Sequence, residues 1–284
     1  MRIGIRFHDT KDCPLEERAQ NTRKLGFECV HIALSKTTGE TSDPAALTPG
    51  YAAYLKGVFD RAELDIAVLG CYLNLATPDR DALCKTQKKY LAHLRFASLL
   101  GCGMVGTETG APNADYHYDR EACHSEKALK TFIDNVRPVV GYAERTGVIL
   151  AIEPVYRHIV WNPESARRVL DEIASPNLQI IFDPVNLLHP DNYDRRGDVI
   201  REAIELLGDD IAMIHLKDCV CEDGELKSMA CGLGEMDYTD IIDFAVRRKP
   251  HIQATLEDTR PENSVQAKEL IQRLEKKAAD AFTC

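Results

Sequence analysis

The chain has 284 residues and a formal net charge of −10, with 44% hydrophobic and 28% charged residues. This composition excludes a disordered or fibrous chain, and the acidic balance argues against a nucleic-acid or anionic-membrane partner, which clustered Lys and Arg would bind. No apolar run reaches the roughly 18 residues of a membrane span, and the N-terminal "MRIGIRF" lacks a secretory pattern, so we expect a cytoplasmic protein with no membrane partner.

Short β-rich runs alternate with longer helical patterns along the chain. The predicted strands cover residues 2–7, 27–34, 65–73, 102–108, 148–153, 178–183, 211–217 and 252–257. The predicted helices cover residues 14–26, 80–101, 126–147, 163–174, 197–210, 237–249 and 262–280. Eight strand-then-helix units predict an α/β protein in which residues 1–284 form a single (β/α)8 TIM barrel. A doubly wound open sheet is the alternative, but "RFHDTKDCP" after the first strand lacks that fold's usual glycine-rich phosphate loop.

The ten cysteines are scattered at irregular spacing, which is typical of reduced thiols rather than of a disulfide framework. Cys219 and Cys221 form the closest pair, and no matching CxxC pair is present to complete a structural zinc site. We therefore expect most of the cysteines to be core residues.

The last four predicted strands each end on a side chain that can bind a metal ion. These side chains are Glu153 in "AIEP", Asp183 in "IFDP", His215 in "MIHLKD" and Glu257 in "TLEDTR". The carboxyl ends of barrel strands meet at one mouth, where the chemistry of this fold takes place. The sequence therefore predicts one divalent-cation site of three carboxylates and one imidazole, a mostly oxygen set that suits Mn²⁺, Mg²⁺ or Co²⁺. The alternative is four separately satisfied polar residues at strand ends.

The segments "AIEPV", "FDPVNLL", "HLKD", "GLGEMDY" and "LED" resemble the xylose isomerase-like superfamily. They are most similar to its sugar phosphate isomerase and epimerase branch, which includes proteins like D-tagatose 3-epimerase. The eight-unit pattern covers essentially the whole chain, while these motifs concentrate in its second half. The resemblance is specific for the fold and the metal site, but it does not identify the substrate.

This resemblance implies an isomerase or epimerase of a sugar or sugar derivative, with Mn²⁺ as the first expectation, Mg²⁺, Co²⁺ or Zn²⁺ as alternatives, and no organic cofactor. Glu153, Asp183, His215 and Glu257 would hold the ion. Glu153 and Glu257 would also be the catalytic pair on opposite sides of a bound ketose or aldose, one removing a proton next to the carbonyl and the other returning it through an enediolate. The branch also allows a homodimer.

Further polar residues lie at or just beyond the predicted strand ends. We expect them to contact substrate hydroxyls or a phosphate, although ordinary loop or surface roles are the alternative. They are His8, Asn74, Glu108, His158, Asn186, Lys217 and Arg260. Asp218 is expected either to orient His215 or to pair with Lys217. Two long loops, 35–50 and 184–198, are expected to be lids over the mouth.

Three other functions use similar features. An apurinic-site endonuclease would need further metal-binding histidines, and Asn186 stands where one would be expected. A dehydratase of a cyclic polyol or sugar acid would use the same metal and a similar proton abstraction. A non-catalytic sugar-binding barrel could dispense with Glu153 or Glu257, yet both are present.

Overall fold

Eight parallel strands close into a barrel in the computed structural model, which describes residues 1–37 and 43–283. Within these residues the strands number ten: β1 Arg2–Arg6, β2 Cys29–Ile32, β3 Asp65–Gly70, β4 Met104–Glu108, β5 Ile149–Glu153, β6 Leu178–Phe182, β7 Ile211–Leu216, β8 Asp218–Glu222, β9 Glu225–Met229 and β10 Gln253–Leu256. Strands β8 and β9 form a separate hairpin, and the other eight follow chain order around the barrel. Strand β1 closes the ring by pairing with both β2 and β10. The predicted fold class is therefore confirmed.

The helices surround this barrel. They are α1 Leu15–Lys24, α2 Leu34–Thr37, α3 Pro49–Arg61, α4 Arg80–Leu100, α5 Arg120–Cys123, α6 Glu126–Thr146, α7 Pro163–Ile173, α8 Arg196–Leu207, α9 Thr239–Arg248 and α10 Ser264–Thr283. Each of the seven predicted helices is present within a few residues of its predicted bounds. Helix α3 and the short helices α2 and α5 were not predicted. Within the described residues, no helix combines the length and apolar content that a membrane span requires.

Local capping fixes the helices on either side of β5. Gly147 ends α6 in the left-handed conformation, with φ 68°, so the chain turns directly into the strand. Asn162 begins α7 with a capping box, in which its side chain accepts from the Ser165 backbone N–H and the Ser165 hydroxyl accepts from the Asn162 backbone N–H. These two caps set the ends of the unit that delivers Glu153 to the mouth.

Side-chain alternation along the strands divides the core into two clusters. In β5, Leu150 and Ile152 pack outward against the helices, while Ala151 packs inside the barrel with residues such as Val68 and Met213. Glu153 follows Ala151 by two positions, so it shares the interior face, one layer above the apolar plug. The same period places polar side chains on the interior face at the carboxyl ends of several other strands.

The antiparallel hairpin of β8 and β9 directly follows β7 and was not predicted. Its turn contains Asp223 and Gly224, both at positive φ. Asp218, at its base, accepts hydrogen bonds from the backbone N–H groups of Cys219, Gly232 and Met236, each at 2.9 Å. These three hydrogen bonds hold the Asp218 carboxylate against the backbone at the base of the hairpin, so Asp218 braces the hairpin instead of taking either predicted role.

Of the two loops predicted to be lids, the structure describes one completely and the other in part. Residues 38–42 of loop 35–50 lie outside the described residues, and its last two residues already belong to α3. Loop 184–198 is described throughout and is tied down by buried Tyr193, whose hydroxyl donates to the Cys219 carbonyl at 3.2 Å and to Glu235 at 3.1 Å. The hairpin and this loop therefore support each other on one side of the mouth.

Candidate metal centre

The four predicted ligands meet at the carboxyl end of the barrel. Glu153, Asp183, His215 and Glu257 are 3%, 1%, 0% and 5% exposed, so none of them depends on solvent for its stabilisation. His215 Nδ1 lies 3.4 Å from an oxygen of Glu153 and 3.4 Å from an oxygen of Glu257. One ligand-competent atom each from Glu153, Asp183 and His215 lie within 4.8 Å of one another. The sequence analysis thus selected residues that share one buried cluster.

Lys217 lies inside this cluster rather than on the surface. Its ammonium is 2.8 Å from Asp183 Oδ2 and 3.6 Å from Glu257 Oε2, and it donates to Asn186 Oδ1 at 2.9 Å. The Asn186 amide in turn donates to Glu153 Oε1 at 2.5 Å. Burial raises the pKa of Asp183 to about 6, with Lys217 acting against that rise. Lys217 and Asn186 therefore organise the carboxylates.

The balance of charge in the cluster favours added positive charge. Burial alone would lower the pKa of His215, but Glu257 and Glu153 raise it to about 9. Burial would likewise raise the pKa of Glu257, but His215, His31 and Lys217 hold it well below its usual range. These shifts show that the two buried carboxylates stabilise positive charge at the imidazole between them, whether a proton or a cation supplies it.

The donor set fits a divalent metal ion. Among the described residues, the buried Nε2 of His215 has no hydrogen-bond partner, while its Nδ1 faces the carboxylates of Glu153 and Glu257 at 3.4 Å. Such unpartnered buried groups are uncommon and call for a ligand or an ion. Carboxylate oxygens and an imidazole nitrogen are ordinary protein ligands for Mn²⁺, Mg²⁺, Co²⁺ and Zn²⁺.

A cavity of about 540 Å³ opens above the cluster. Its lining includes four of the predicted substrate-contact residues together with both glutamates: His8, Glu108, Asn186, Lys217, Glu153 and Glu257. A larger depression of about 780 Å³ lies at the opposite, amino-terminal end of the strands and is lined by none of the predicted site residues. The candidate functional groups therefore converge on the smaller cavity, at the end of the barrel where the active sites of this fold lie.

Glu108 and His158 form a second polar pair beside the cluster. His158 Nδ1 lies 3.8 Å from Glu108 Oε2, and the Tyr116 hydroxyl donates to the same carboxylate oxygen at 3.3 Å. Burial lowers the pKa of His158 to about 4, so the imidazole is neutral at physiological pH. Burial, followed by Arg6, lowers the pKa of His8 to about 3. Both histidines are therefore neutral hydrogen-bonding groups near the cavity.

Three predicted contact residues, His158, Asn74 and Arg260, lie outside the cavity lining. The Asn74 amide donates to the carbonyls of Ala111 and Asn113, and its Oδ1 accepts from the Ala76 N–H, so this side chain braces loops. Arg260 is exposed beyond the last strand. Their roles as substrate contacts stay predictions.

A model of the xylose isomerase-like TIM barrel family matches residues 19–277. The chain belongs to this family. No curated protein sequence matches it.

Solved structures of xylose isomerase-like barrels share its fold. A D-tagatose 3-epimerase-like protein is 17% identical, with complete coverage of both chains (100% of each) and a TM-score of 0.78. The 3-keto-D-glucoside 4-epimerase from E. coli is 15% identical over 96% of this chain and 99% of its own, with a TM-score of 0.75. The IOLI protein with a bound zinc atom is 17% identical over 98% and 96%, with a TM-score of 0.70. At these identities the similarity shows the fold.

Three residues at the centre of this xylose isomerase-like barrel were missed by the sequence analysis. His31, on β2, has Nδ1 3.5 Å from Glu257 Oε1, and its Nε2 lies 3.0 Å from the Tyr72 hydroxyl. Arg6, at the end of β1, lies 3.6 Å from Glu257 Oε2. The available signal was a polar residue in the interior register of an apolar strand, as in "CVHI" and "RIGIR".

Proposed function

We propose that this chain is a divalent-metal-dependent isomerase or epimerase that acts on a sugar or sugar derivative. The observation that carries the proposal is the buried pair Glu153 and Glu257, each 3.4 Å from the same His215 nitrogen at the floor of a polar cavity. Family membership supports it, as do structural neighbours that are named as sugar epimerases.

Glu153, Asp183, His215 and Glu257 are the residues that would hold the ion, with Mn²⁺ as the predicted metal. When bound, a divalent cation polarises the carbonyl of the substrate and stabilises the negative charge that forms on its oxygen. The IOLI protein, which shares this fold, binds zinc, so Zn²⁺ is an alternative to Mn²⁺.

The protein's own groups would divide the proton transfers. One of the two glutamates would accept a proton from the carbon next to the carbonyl; the cationic neighbours that hold the pKa of Glu257 well below its usual range keep that carboxylate ionised but also make it a weaker base. The other glutamate would start protonated and deliver its own proton from the opposite side of the substrate, so the two carboxyl groups exchange protonation states in each turnover. The Asn186 amide, 2.5 Å from Glu153 Oε1, fixes the orientation of the Glu153 carboxylate. In the reverse reaction the two glutamates exchange the roles of base and acid.

The remaining lining groups would bind the substrate. Asn186, Lys217, Glu108 and His8 present amide, ammonium, carboxylate and imidazole groups around the cavity, which suits a polyhydroxylated molecule. His158 lies beside Glu108, so it would act on the substrate directly or through that carboxylate. A cytoplasmic location and a homodimer stay predictions.

The test is solvent-deuterium incorporation into ketoses, aldoses and inososes, with and without Mn²⁺. We expect metal-dependent exchange at one carbon without net loss of water. Exchange accompanied by loss of water would instead identify a dehydratase. Absence of exchange with every substrate would favour a non-catalytic sugar-binding barrel and would contradict the proposal.

A further inference from the structure

His31 lies on β2 beside the metal centre and is separate from the four predicted ligands. The residue is 2% exposed, and its ring is parallel to that of His215, with centroids 5.3 Å apart and an interplanar angle of 10°. Its two ring nitrogens face different groups: Nε2 lies 3.0 Å from the Tyr72 hydroxyl, and Nδ1 lies 3.5 Å from Glu257 Oε1. The imidazole therefore connects Tyr72 to one of the two proposed catalytic glutamates.

The surroundings of Nδ1 determine which nitrogen of His31 carries the proton. Among the described residues, Nδ1 is buried without a hydrogen-bond partner, and the acceptor that it faces is the Glu257 carboxylate. This carboxylate would attract an N–H at Nδ1, whereas it would repel a lone pair there. Hydrogen bonds from nitrogen to oxygen are about 2.7–3.2 Å long, so a movement of roughly 0.3 Å completes this one. We therefore expect the ring to carry a proton on Nδ1.

Tyr72 fixes this protonation state from the other side of the ring. A phenolic hydroxyl can donate or accept, so with Nδ1 protonated it donates to the bare Nε2 of His31. Gly70, the last residue of β3, leaves room for this contact, because a Cβ there would lie 2.6 Å from the Tyr72 ring and 3.0 Å from His31 Nε2. A larger residue at position 70 would displace the Tyr72 ring.

The two oxygens of Glu257 face different kinds of group. Arg6 Nη1 and Lys217 Nζ each lie 3.6 Å from Oε2. His31 and His215 face Oε1 at 3.5 and 3.4 Å. His215 is a predicted ligand of the ion, so the nitrogen with which it binds the ion cannot also donate a hydrogen bond. His31 is then the imidazole that remains to donate to Oε1.

We propose that His31 is a positioning residue, which orients the Glu257 carboxylate by donating from Nδ1 while Tyr72 donates to Nε2. Hydrogen bonds from outer residues commonly orient the carboxylates that bind a metal ion. His31 is not itself a ligand in this role, and the four predicted ligands are unchanged. The inference rests on the metal centre and on the role of Glu257 in the proposed function.

Nitrogen magnetic resonance on the metal-free wild-type protein, with labelled histidine imidazoles, tests the position of the proton. The signals of His31 are assigned by their absence from the His31→Asn variant. We expect a protonated Nδ1 and a bare Nε2, and the Nε2 signal should move in Tyr72→Phe because the hydroxyl is lost. A bare Nδ1 would overturn the inference, since it has no proton to donate to Glu257.

Substitutions of His31 distinguish a hydrogen-bond donor from a residue that only fills space. His31→Leu should weaken Mn²⁺ binding in calorimetric titration about 10–100-fold, as loss of an outer partner of a metal ligand commonly does, and should lower turnover more than it raises KM. His31→Asn, whose amide nitrogen can take the position of Nδ1, should recover most of both properties. A folded His31→Leu protein with wild-type Mn²⁺ affinity, or a His31→Asn protein as impaired as His31→Leu, would overturn the inference.

Failure of the proposed function gives a different result. If no ketose, aldose or inosose exchanges deuterium while the proton on Nδ1 and the Mn²⁺ affinities are as expected, the proposed reaction fails and the positioning of Glu257 stands. If deuterium exchanges but Nδ1 is bare, the proposed reaction stands and this inference fails. If the wild-type protein binds neither Mn²⁺ nor Zn²⁺, both fail.

Discussion

Lys217 offers the sharpest test of how the acidic cluster is stabilised without a metal ion. The substitution Lys217→Met keeps an unbranched apolar stem and removes the ammonium. That ammonium is 2.8 Å from Asp183 Oδ2 and 3.6 Å from Glu257 Oε2, and the three side chains are at most 7% exposed. Burial lowers the pKa of Lys217, but the two carboxylates together raise it above its usual value, which shows that they stabilise the charge.

The expected loss of stability is large because the change leaves buried carboxylates without their cation. Breaking a buried ion pair by removing one partner costs about 3–5 kcal/mol. At about 2–3 °C per kcal/mol for a chain of this size, Tm of the metal-free protein should fall by roughly 6–15 °C. A divalent cation would replace the missing charge, so the rise in Tm on adding metal should be larger in the variant than in the wild type.

Thermal unfolding with a chelator and then with excess Zn²⁺ measures both effects. Lys130→Met is the matched control, since the Lys130 ammonium pairs with Asp134 at 3.3 Å on the surface of α6. An exposed pair of this kind contributes at most about 1 kcal/mol. If the metal-free Lys217→Met protein is as stable as the Lys130→Met protein, Lys217 does not stabilise the cluster.

Three further predictions concern catalysis, the hairpin and pH. Glu153→Gln and Glu257→Gln should each lower turnover by about 10²-fold or more while the protein still folds; normal turnover in both would refute the paired-glutamate scheme. Asp218→Ala should cost about 3 kcal/mol or more in urea unfolding, because three backbone N–H groups lose a charged acceptor, and a loss below 1 kcal/mol would contradict that role. The neutral His158 should make folding less favourable as pH falls from 6.5 to about 4, since the unfolded imidazole gains its proton first. His158→Gln should flatten the dependence of the unfolding free energy on pH in that window, and an unchanged slope would argue against a buried neutral imidazole.

The barrel was predictable because each strand ends where its apolar run ends. The eight predicted strands overlap all eight barrel strands, and the residues that close the last four runs, from Glu153 to Glu257, share one buried cluster. Alternation explains this result, because an interior position at the carboxyl end of a strand faces the mouth in every unit. The local sequence pattern was therefore sufficient to identify the four acidic and imidazole side chains of the candidate metal centre.

Two elements had local signals that the sequence analysis did not use. Helix α3 begins with Thr48 as its N-cap and Pro49 in its first turn, and buries Ala52, Leu55, Val58 and Phe59 at helical spacing. The hairpin of β8 and β9 turns at Asp223 and Gly224, an Asp-Gly pair typical of tight β-hairpins.

Other features depend on contacts between distant parts of the chain. Glu257 and His31 belong to strands that are neighbours of β1 on opposite sides, so only closure of the barrel brings them together. The segment "HLKD" alone does not distinguish a buried lysine from a surface lysine. The structure places Asp183, which follows β6, 2.8 Å from the Lys217 ammonium. Strand ends identify candidates for a site, whereas pairing within it comes from the three-dimensional structure.

The central claim is that the buried cluster of carboxylates and imidazole binds one divalent cation. Crystals of the wild-type protein loaded with Mn²⁺ or Zn²⁺, measured by anomalous scattering at the absorption edge of each metal, test it most directly. The account predicts one strong peak per chain within bonding distance of Glu153, His215 and Glu257. A fully loaded crystal with no peak in this cluster, or with metal only elsewhere on the protein, would contradict it.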